Sequence, residues 1–588
     1  MKKYIFILFV VIILGVVYGT NRVRINAELG FAEAQYTLGA MYRDGVGIPE
    51  DKAEAVKWFR LAAAKGHAEA QTNLGIMYYI GEGVTQDKTE AVKWYRLAAE
   101  QGFAWAQFNL GAALSRGDGV TQDKKEAVKW YRLAAEQGEA RAQHSLGALF
   151  SKGDGVTQDK KEAVKWYRLA AEQGFADSQF FLGWSFFSGE GVSQDKKEAV
   201  KWYRLAAEQG FTEAQLRFGW LFYSGEGVTQ DKKEAVKWYR LAAEQGNADG
   251  QDFLGFAFKY GEGVTQDHKE AVKWFRLAAE QGLAMSQMNL GFAFKYGEGV
   301  TQDSKEAVKW FRLAAEQGNS QAQLNLGISF YIGDGVTQDK KEAVKWYRLA
   351  AEQGDVYAQI NLGRSLEIGD GVAQNKTEAA KWYRLAAEQG NAQAQMNLGG
   401  LLFNGDGVPQ DKAEAVKWNR LAAEQGLSKA QFRLGSLLFN GDGVAQDKKE
   451  ALKWFRLAAE QGFAEAQFIL GWSFYDGDGV AQDKAEAVKW YRLAAEQELA
   501  QAQLSLGIMY LFGDSVLVDI KQAILLLKKA ADKGIGDAYY YLGYIYEVGE
   551  SIDKNLRIAK IYYYNAIEYN CSSSEICEDA KKRLKALE

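Results

Sequence analysis

The sequence predicts an all-α protein, a right-handed α-solenoid superhelix of about fifteen 36-residue helix–turn–helix repeats. Three observations predict this fold class. Tryptophan recurs at an interval of 36 residues from Trp58 to Trp490, and glycine-rich turns recur at the same interval. The 588 residues include only 2 prolines. A repeat of roughly 20–50 residues is the signature of stacked supersecondary units, and scarce proline favours long packed helices.

One unit, Val120–Gly155, shows how each repeat divides into two helices. The first begins after Asp123, because an aspartate N-cap with Glu126 three residues later satisfies the free amide groups of a helix start. It ends at Gly138, since glycine adopts the left-handed conformation after a helix without steric cost. The second runs roughly over 140–151, before a Gly-Asp-Gly turn. We call these the KWYR helix, after its Lys-Trp-Tyr-Arg segment, and the LG helix, after its Leu-Gly pair.

The faces of the two helices predict that the repeats stack on one another. The KWYR helix is apolar around most of its circumference, with one polar stripe that includes Lys129 and Arg132. In the LG helix, Gly147 and its equivalents leave room for a neighbouring backbone or a large aromatic ring. A single unit cannot bury both faces of its helices, so its stability depends on its neighbours.

The recurring segments AAEQG, AxAQxxLG and GxGVxxD, together with KWYR, resemble the Sel-one-like repeat (SLR) family, whose repeats are similar to tetratricopeptide repeats. The resemblance extends from Ala27 to about Asn570. It implies a superhelical adaptor that holds other proteins together. We therefore predict a repeat solenoid over residues 20–570 and a C-terminal capping helix over 571–588. Some bacterial relatives carry a bridging cysteine pair in each repeat and interact with penicillin-like compounds, and this chain lacks those pairs.

Both ends of the chain carry predictions of their own. Lys2 and Lys3 precede an apolar run over residues 4–18, so residues 1–19 are predicted to be a signal peptide or a retained membrane anchor. Either one would place the repeats outside the cytoplasm: in a bacterial periplasm, in the cell envelope, or secreted. Export would permit a disulfide between Cys571 and Cys577. Two free thiols on a terminal helix are the alternative.

Little in the sequence indicates nucleic-acid binding, metal binding or catalysis. The net charge of -5 offers no basic field for nucleic acid. His67, His144 and His268 lie in different repeats and lack the close spacing of a metal site. Polar residues either recur in every unit or scatter over variable positions, whereas a catalytic residue should be a local exception with a tuned neighbour. We predict no catalytic residue, no cofactor and no bound metal.

Because the copies align without gaps, the chain shows which of its own positions vary. The KWYR helix hardly changes, whereas one stripe of the LG helix differs from repeat to repeat. One position on that stripe is aromatic in four adjacent repeats, which should stack the rings side by side, and further aromatics lie nearby. The predicted partner-binding residues are Trp184, Trp220, Phe256, Phe292, Phe181, Phe253, Tyr260 and Tyr296.

If exposed, such an aromatic strip suits an apolar helix, a peptide or a flat sugar ring. The alternative is that these rings lie between repeats and only set their curvature. The basic line of Lys129 and Arg132 is a second candidate surface, with ion pairing within the helix as its alternative. The leading hypothesis is a non-enzymatic scaffold for protein partners. A glycan- or peptidoglycan-binding envelope protein and a cell-wall or β-lactam hydrolase are the other hypotheses.

Overall fold

The computed structural model describes residues 20–549, 552–569, 571 and 573–587. The chain divides into two compact units, residues 1–301 and 302–588. The predicted signal peptide or anchor, residues 1–19, lies outside the described residues. In the part of the chain that the structure does describe, no helix is both long and apolar enough to cross a membrane.

Every element of regular structure among the described residues is helical. After a helix over 20–28, each helix is thirteen residues long. Odd numbers from α1 to α29 are the LG helices, even numbers are the helices at the KWYR position, and α31 is the C-terminal helix. The first unit contains α1 Ala32–Asp44, α2 Lys52–Ala64, α3 Ala68–Ile80, α4 Lys88–Glu100, α5 Ala104–Arg116, α6 Lys124–Glu136, α7 Ala140–Lys152, α8 Lys160–Glu172, α9 Ala176–Ser188, α10 Lys196–Glu208, α11 Thr212–Ser224, α12 Lys232–Glu244, α13 Ala248–Tyr260, α14 His268–Glu280 and α15 Ala284–Tyr296.

The second unit continues the same alternation to the C-terminal helix. It contains α16 Ser304–Glu316, α17 Ser320–Ile332, α18 Lys340–Glu352, α19 Val356–Ile368, α20 Lys376–Glu388, α21 Ala392–Asn404, α22 Lys412–Glu424, α23 Ser428–Asn440, α24 Lys448–Glu460, α25 Ala464–Asp476, α26 Lys484–Glu496, α27 Ala500–Phe512, α28 Ile520–Asp532, α29 Gly536–Val548, α30 Leu556–Glu568 and α31 Ser574–Ala586. The prediction of an all-α solenoid of helix–turn–helix repeats is confirmed in each unit.

The predicted helix boundaries follow from the caps. The Asp123 carboxylate accepts a hydrogen bond from the backbone N–H of Glu126 at 2.9 Å, and α6 begins at the next residue after the aspartate. Gly138 has a φ of 92°, as the left-handed position after a helix requires. α7 then runs to Lys152, one residue beyond the predicted end.

The recurring glycine of the LG helix marks the closest approach of two helices. A Cβ atom added to Gly147 would lie 2.8 Å from Cδ1 of Tyr167 on α8, which is closer than real carbon atoms approach. The tyrosine ring therefore packs directly on the backbone of α7, as the sequence predicts. In the interfaces that the structure describes, a tyrosine or phenylalanine covers this glycine, with Asn419 and Leu527 as the exceptions.

A chain of glutamine side chains links successive repeats. Gln143 on α7 is 4% exposed, and its Nε2 donates to the backbone oxygen of Ala135 at 3.1 Å. Its Oε1 accepts a hydrogen bond from Nε2 of Gln173 at 2.8 Å. The same pairing, thirty residues apart, recurs along both units. We call it the glutamine ladder; it satisfies a buried amide and fixes the register of neighbouring repeats.

Ion pairs reinforce the turns between repeats. The first lysine of α4, Lys88, donates to the Asp118 carboxylate of the following Gly-Asp-Gly turn at 2.7 Å. Lys160 and Glu190 repeat this contact at 2.9 Å. The acidic residue of the turn thus holds the start of the preceding KWYR helix.

At the C-terminus, α31 packs on α30 through a small cluster that contains Tyr563 and Ala580. The Arg583 guanidinium donates to Glu547 at 2.9 Å and joins α31 to α29. Cys571 and Cys577 lie at the start of this element with their sulfur atoms at bonding distance and their Cα atoms 5.4 Å apart. That Cα separation falls in the ordinary range for a disulfide.

Candidate protein-binding surface

The eight predicted partner-binding residues all reach the surface, to different extents. The four rings at the equivalent LG-helix position are half-buried: Trp184, Trp220, Phe256 and Phe292. The other four are exposed, from 38% for Phe181 to 60% for Tyr296, with Phe253 and Tyr260 between them. None of these rings is sealed in the interior.

The rings form local groups instead of one uninterrupted stack. Phe187 lies between two predicted rings, with its centroid 6.3 Å from that of Trp184 and 5.7 Å from that of Trp220. Phe256 stacks on Tyr260 at 5.9 Å within the same helix. Sequence spacing alone missed Phe187, because its place between two repeats depends on how neighbouring LG helices pack.

Phe181 and Phe253 lie one helical turn before Trp184 and Phe256 and contact rings of the KWYR helices. Phe181 stacks on Tyr167 with centroids 5.4 Å apart, and Phe253 lies 5.0 Å from Tyr239. Each therefore contacts the ring of a KWYR helix and remains partly exposed to solvent. These two residues extend the aromatic surface toward the KWYR helices.

A cavity of about 480 Å³ opens within the aromatic surface between α11 and α13. Four of the predicted residues line it, with α12 forming its floor through Val236 and Tyr239. The full lining is Trp220, Tyr223, Val236, Tyr239, Phe253, Phe256, Ala257, Tyr260 and Glu262. We call this the aromatic cavity. Its volume and its largely apolar walls are typical of a site for a buried side chain of a ligand or partner.

One end of the aromatic cavity is polar but electrically balanced. The Glu262 carboxylate accepts a hydrogen bond from the Lys232 ammonium at 2.8 Å. That contact, together with a hydrogen bond from the Tyr223 hydroxyl, lowers the pKa of Glu262. The same carboxylate raises the pKa of Tyr223, while burial raises the pKa of Tyr239. The cavity is therefore lined mainly by aromatic rings, and the acidic group at one end of it is neutralised by an ion pair.

The second candidate surface, the basic line of the KWYR helices, is largely paired with acidic groups or packed on rings. Lysines of this line contact a glutamate on their own helix, as Lys165 and Glu162 do at 2.8 Å. Some arginines reach the next repeat, as Arg96 reaches Glu126 at 2.9 Å. Arg132 instead lies over the Phe150 ring at 5.5 Å. These contacts leave less free positive charge than the sequence suggests.

The histidines do not converge in the structure. His67 contacts the Glu33 carboxylate at 2.9 Å, and His144 contacts the Ser178 hydroxyl at 3.0 Å. Burial lowers the pKa of His144, which is surrounded by aromatic rings. In the residues that the structure describes, no three histidine, cysteine or acidic side chains are grouped to hold a metal ion.

Comparisons with known proteins define the class of the chain. The Sel1 repeat family model matches fifteen consecutive segments, the first at residues 32–67 and the last at 536–568. The chain therefore belongs to the Sel1 repeat family. No curated protein sequence matches it.

Two solved structures of this family are similar to the chain. One is the crystal structure of c5321, a protective antigen present in uropathogenic Escherichia coli strains and displaying an SLR fold. It shares 37% identity over 77% of this chain and 94% of its own, with a TM-score of 0.64. The other is a Sel1 repeat protein from Oxalobacter formigenes, with 34% identity over 54% of this chain and 91% of its own and a TM-score of 0.42. Sel1 repeat proteins are generally protein-interaction scaffolds.

Proposed function

We propose that this protein is a non-enzymatic scaffold outside the cytoplasm, and that it binds a protein partner on the aromatic surface described above. The observation that carries the proposal is the aromatic cavity. It places Trp220, Phe253, Phe256 and Tyr260 around one opening between adjacent LG helices. Rings in such a pocket supply contact area at little conformational cost, and pockets of this kind hold the dominant side chains of protein interfaces.

The expected partner presents an apolar side chain on a helix or extended segment. The cavity is too small for a folded domain, so only one anchoring side chain enters it, and neighbouring rings such as Phe187 contact the flanking residues. Lys232 already neutralises Glu262, so the cavity exerts little selection on partner charge. Binding is therefore expected to depend weakly on salt, since screening acts on charged contacts.

Selection of binding peptides from a displayed random library tests the proposal and does not require the partner to be identified first. The full-length protein is expected to enrich peptides with a large apolar side chain. The substitutions Trp220→Ser and Phe256→Ser are each expected to lower their affinity about 30-fold or more, which corresponds to about 2 kcal/mol for a central interface residue. Circular dichroism should show unchanged helicity.

Ile328→Ser is the matched control, because Ile328 occupies the same LG-helix position and is also half-buried, but it does not line the cavity. It is expected to leave peptide affinity unchanged. Equal losses in the control and the cavity variants would refute the site. Sedimentation with insoluble peptidoglycan is the competing assay, and binding there that Trp220→Ser abolishes would replace the protein-partner proposal with a glycan-binding one.

The proposal that the protein is exported is supported by the lysines and the apolar run at the N-terminus and by the similarity to the antigen c5321. N-terminal sequencing of protein recovered from the native cell tests it. A start near residue 20 indicates a cleaved signal, and an intact start in the membrane fraction indicates an anchor. An intact chain in the cytoplasmic fraction would refute the proposed location.

A further inference from the structure

Two exceptions to the repeat pattern meet in the second unit and leave a cavity. Asn419 on α22 stands where the other described repeats place a ring or Leu527 against the LG-helix glycine, and it is 2% exposed. Gly400 on α21 stands at the position of Trp184 and its equivalents. The cavity of about 430 Å³ is lined by both, together with Phe403, Arg433, Ser436 and Leu437. We call it the Arg433 cavity.

The chain contains its own filled counterpart of this cavity, six repeats earlier. There the three equivalent residues are Trp184, Tyr203 and Arg217. The Arg217 guanidinium lies over the Trp184 ring at 5.1 Å, and Tyr203 packs on Gly183. The Arg433 cavity is thus the space that remains when an indole and a phenol are both absent, and empty space of this kind destabilises a folded core.

The cavity contains a cation without an acidic partner. Nη1 of Arg433 donates to the backbone oxygen of Met396 at 3.2 Å, and among the described residues no carboxylate forms an ion pair with the guanidinium. Burial lowers the pKa of Arg433, and the more distant Glu367 opposes that effect. The four preceding repeats have asparagine at this position, so the arginine is not a requirement of the fold.

Asn419, which lines the cavity, has a buried acceptor without a donor. Nδ2 of Asn419 donates to the backbone oxygen of Ala415 at 2.8 Å, while Oδ1 is buried and has no hydrogen-bond partner. A buried polar atom left unpaired costs about 1–3 kcal/mol, so proteins rarely keep one without a reason. A ligand N–H group would satisfy it.

The acidic residue at the rim does not compete with an anion. The Asp442 carboxylate accepts a hydrogen bond from the Lys412 ammonium at 2.8 Å, and the same ammonium lies 4.9 Å from the centroid of the Phe403 ring. This pair neutralises itself. The uncompensated charge facing the cavity is that of Arg433.

We propose that the Arg433 cavity binds the carboxylate end of an N-acylated amino acid or of a peptide chain. The carboxylate pairs with the Arg433 guanidinium, which presents its N–H groups in a fork that matches two carboxylate oxygens. The amide N–H of the same ligand residue donates to Oδ1 of Asn419. Its apolar side chain packs against Phe403 and Leu437. Together, the three kinds of contact favour ligands that carry a free carboxylate next to an amide group.

Titration calorimetry on the full-length protein with N-acetyl-leucine, and with N-acetyl-leucine amide as the matched ligand without a charge, tests the proposal. The acid is expected to bind at least roughly tenfold more tightly than the amide, because a hydrogen bond to a charged group is worth that much. Equal binding of the two ligands, or no detectable binding of the acid, would overturn it.

Three variants separate the cavity from general effects. Arg433→Asn introduces the residue of the preceding repeats and is expected to weaken binding of the acid at least roughly tenfold. Asn419→Tyr restores the repeat pattern, fills the cavity and is expected to abolish binding while raising thermal stability. Arg217→Asn removes the equivalent arginine from the filled site and is expected to change nothing. Retained binding in Asn419→Tyr would place the ligand elsewhere and refute the site.

The ligand chemistry has two sources, which a second pair of probes distinguishes. A hexapeptide that ends in leucine with a free carboxylate is compared with the same peptide amidated. Tighter binding of the free-carboxylate peptide than of N-acetyl-leucine indicates a protein C-terminus as the ligand. Preference for N-acetyl-leucine indicates a small metabolite with the same end group.

Discussion

The glutamine ladder predicts a graded and coupled loss of stability at one interface between repeats. Gln143→Leu removes two neutral hydrogen bonds, one to Ala135 and one from Gln173. At about 1 kcal/mol each, the local free energy of unfolding should fall by about 2 kcal/mol. Gln173→Leu removes the cross-repeat bond and leaves the buried Oε1 of Gln143 without a donor, so it should cost about 1–3 kcal/mol. The double variant should cost less than the sum, because both single changes remove the same bond.

Hydrogen exchange measured by mass spectrometry on the full-length protein resolves this effect locally. A loss of about 2 kcal/mol corresponds to roughly 30-fold faster exchange of the amides in α7 and α8 under conditions where opening is rapid. Helices several repeats away should be unaffected, since each repeat contacts only its neighbours. Additive effects of Gln143→Leu and Gln173→Leu, within about 0.5 kcal/mol, would refute the inference that these side chains hold the repeats together.

Three further predictions concern single groups. Burial raises the pKa of Asp252 to about 6, so its contribution to stability is largest below about pH 4 and is lost as pH rises through 6. The free energy of unfolding, measured by denaturation, should therefore be lower at about pH 7.5 than at about pH 4.5 through this group. Asp252→Asn should remove this part of the pH dependence. The same pH dependence in the variant as in the original protein would contradict the assignment. Cys571 and Cys577 are expected to resist alkylation until reduced, and labelling of both in the unreduced protein would exclude the disulfide. Asp123→Ala should cost about 1 kcal/mol through loss of the N-cap bond to Glu126, seen as faster exchange in the first turn of α6, and unchanged exchange there would argue against that role.

Features set within one repeat were predictable from the sequence. The Asp123 cap, the Gly138 turn and the glycine at Gly147 each act within a few residues or on the nearest helix, and the structure has each at its predicted position. Local capping and steric rules apply before any tertiary contact is known. Repetition strengthened each prediction, because every copy is an independent example of the same rule.

Features that join side chains from different repeats were not predictable in the same way. Gln143 is visible in every copy of the AxAQ segment, but its partner lies thirty residues away and is defined only by how the helices pack. Phe187 was missed for the same reason. Asn419 and Arg433 can be recognised in the sequence because they differ from the residues that most other repeats have at these positions. Their convergence on one cavity with Gly400 depends on three separate helices.

The glutamine ladder and the lysine–acid turn contacts give successive junctions within each unit nearly the same chemistry. Deletion or duplication of a whole 36-residue module would therefore bring together two repeat surfaces that already match. The new junction between repeats would pack nearly as well as the original ones. Such an array can change its copy number during evolution while each surviving module keeps its place relative to the next. The number of residues between Trp220 and Arg433 along the chain would then change only by whole 36-residue repeats.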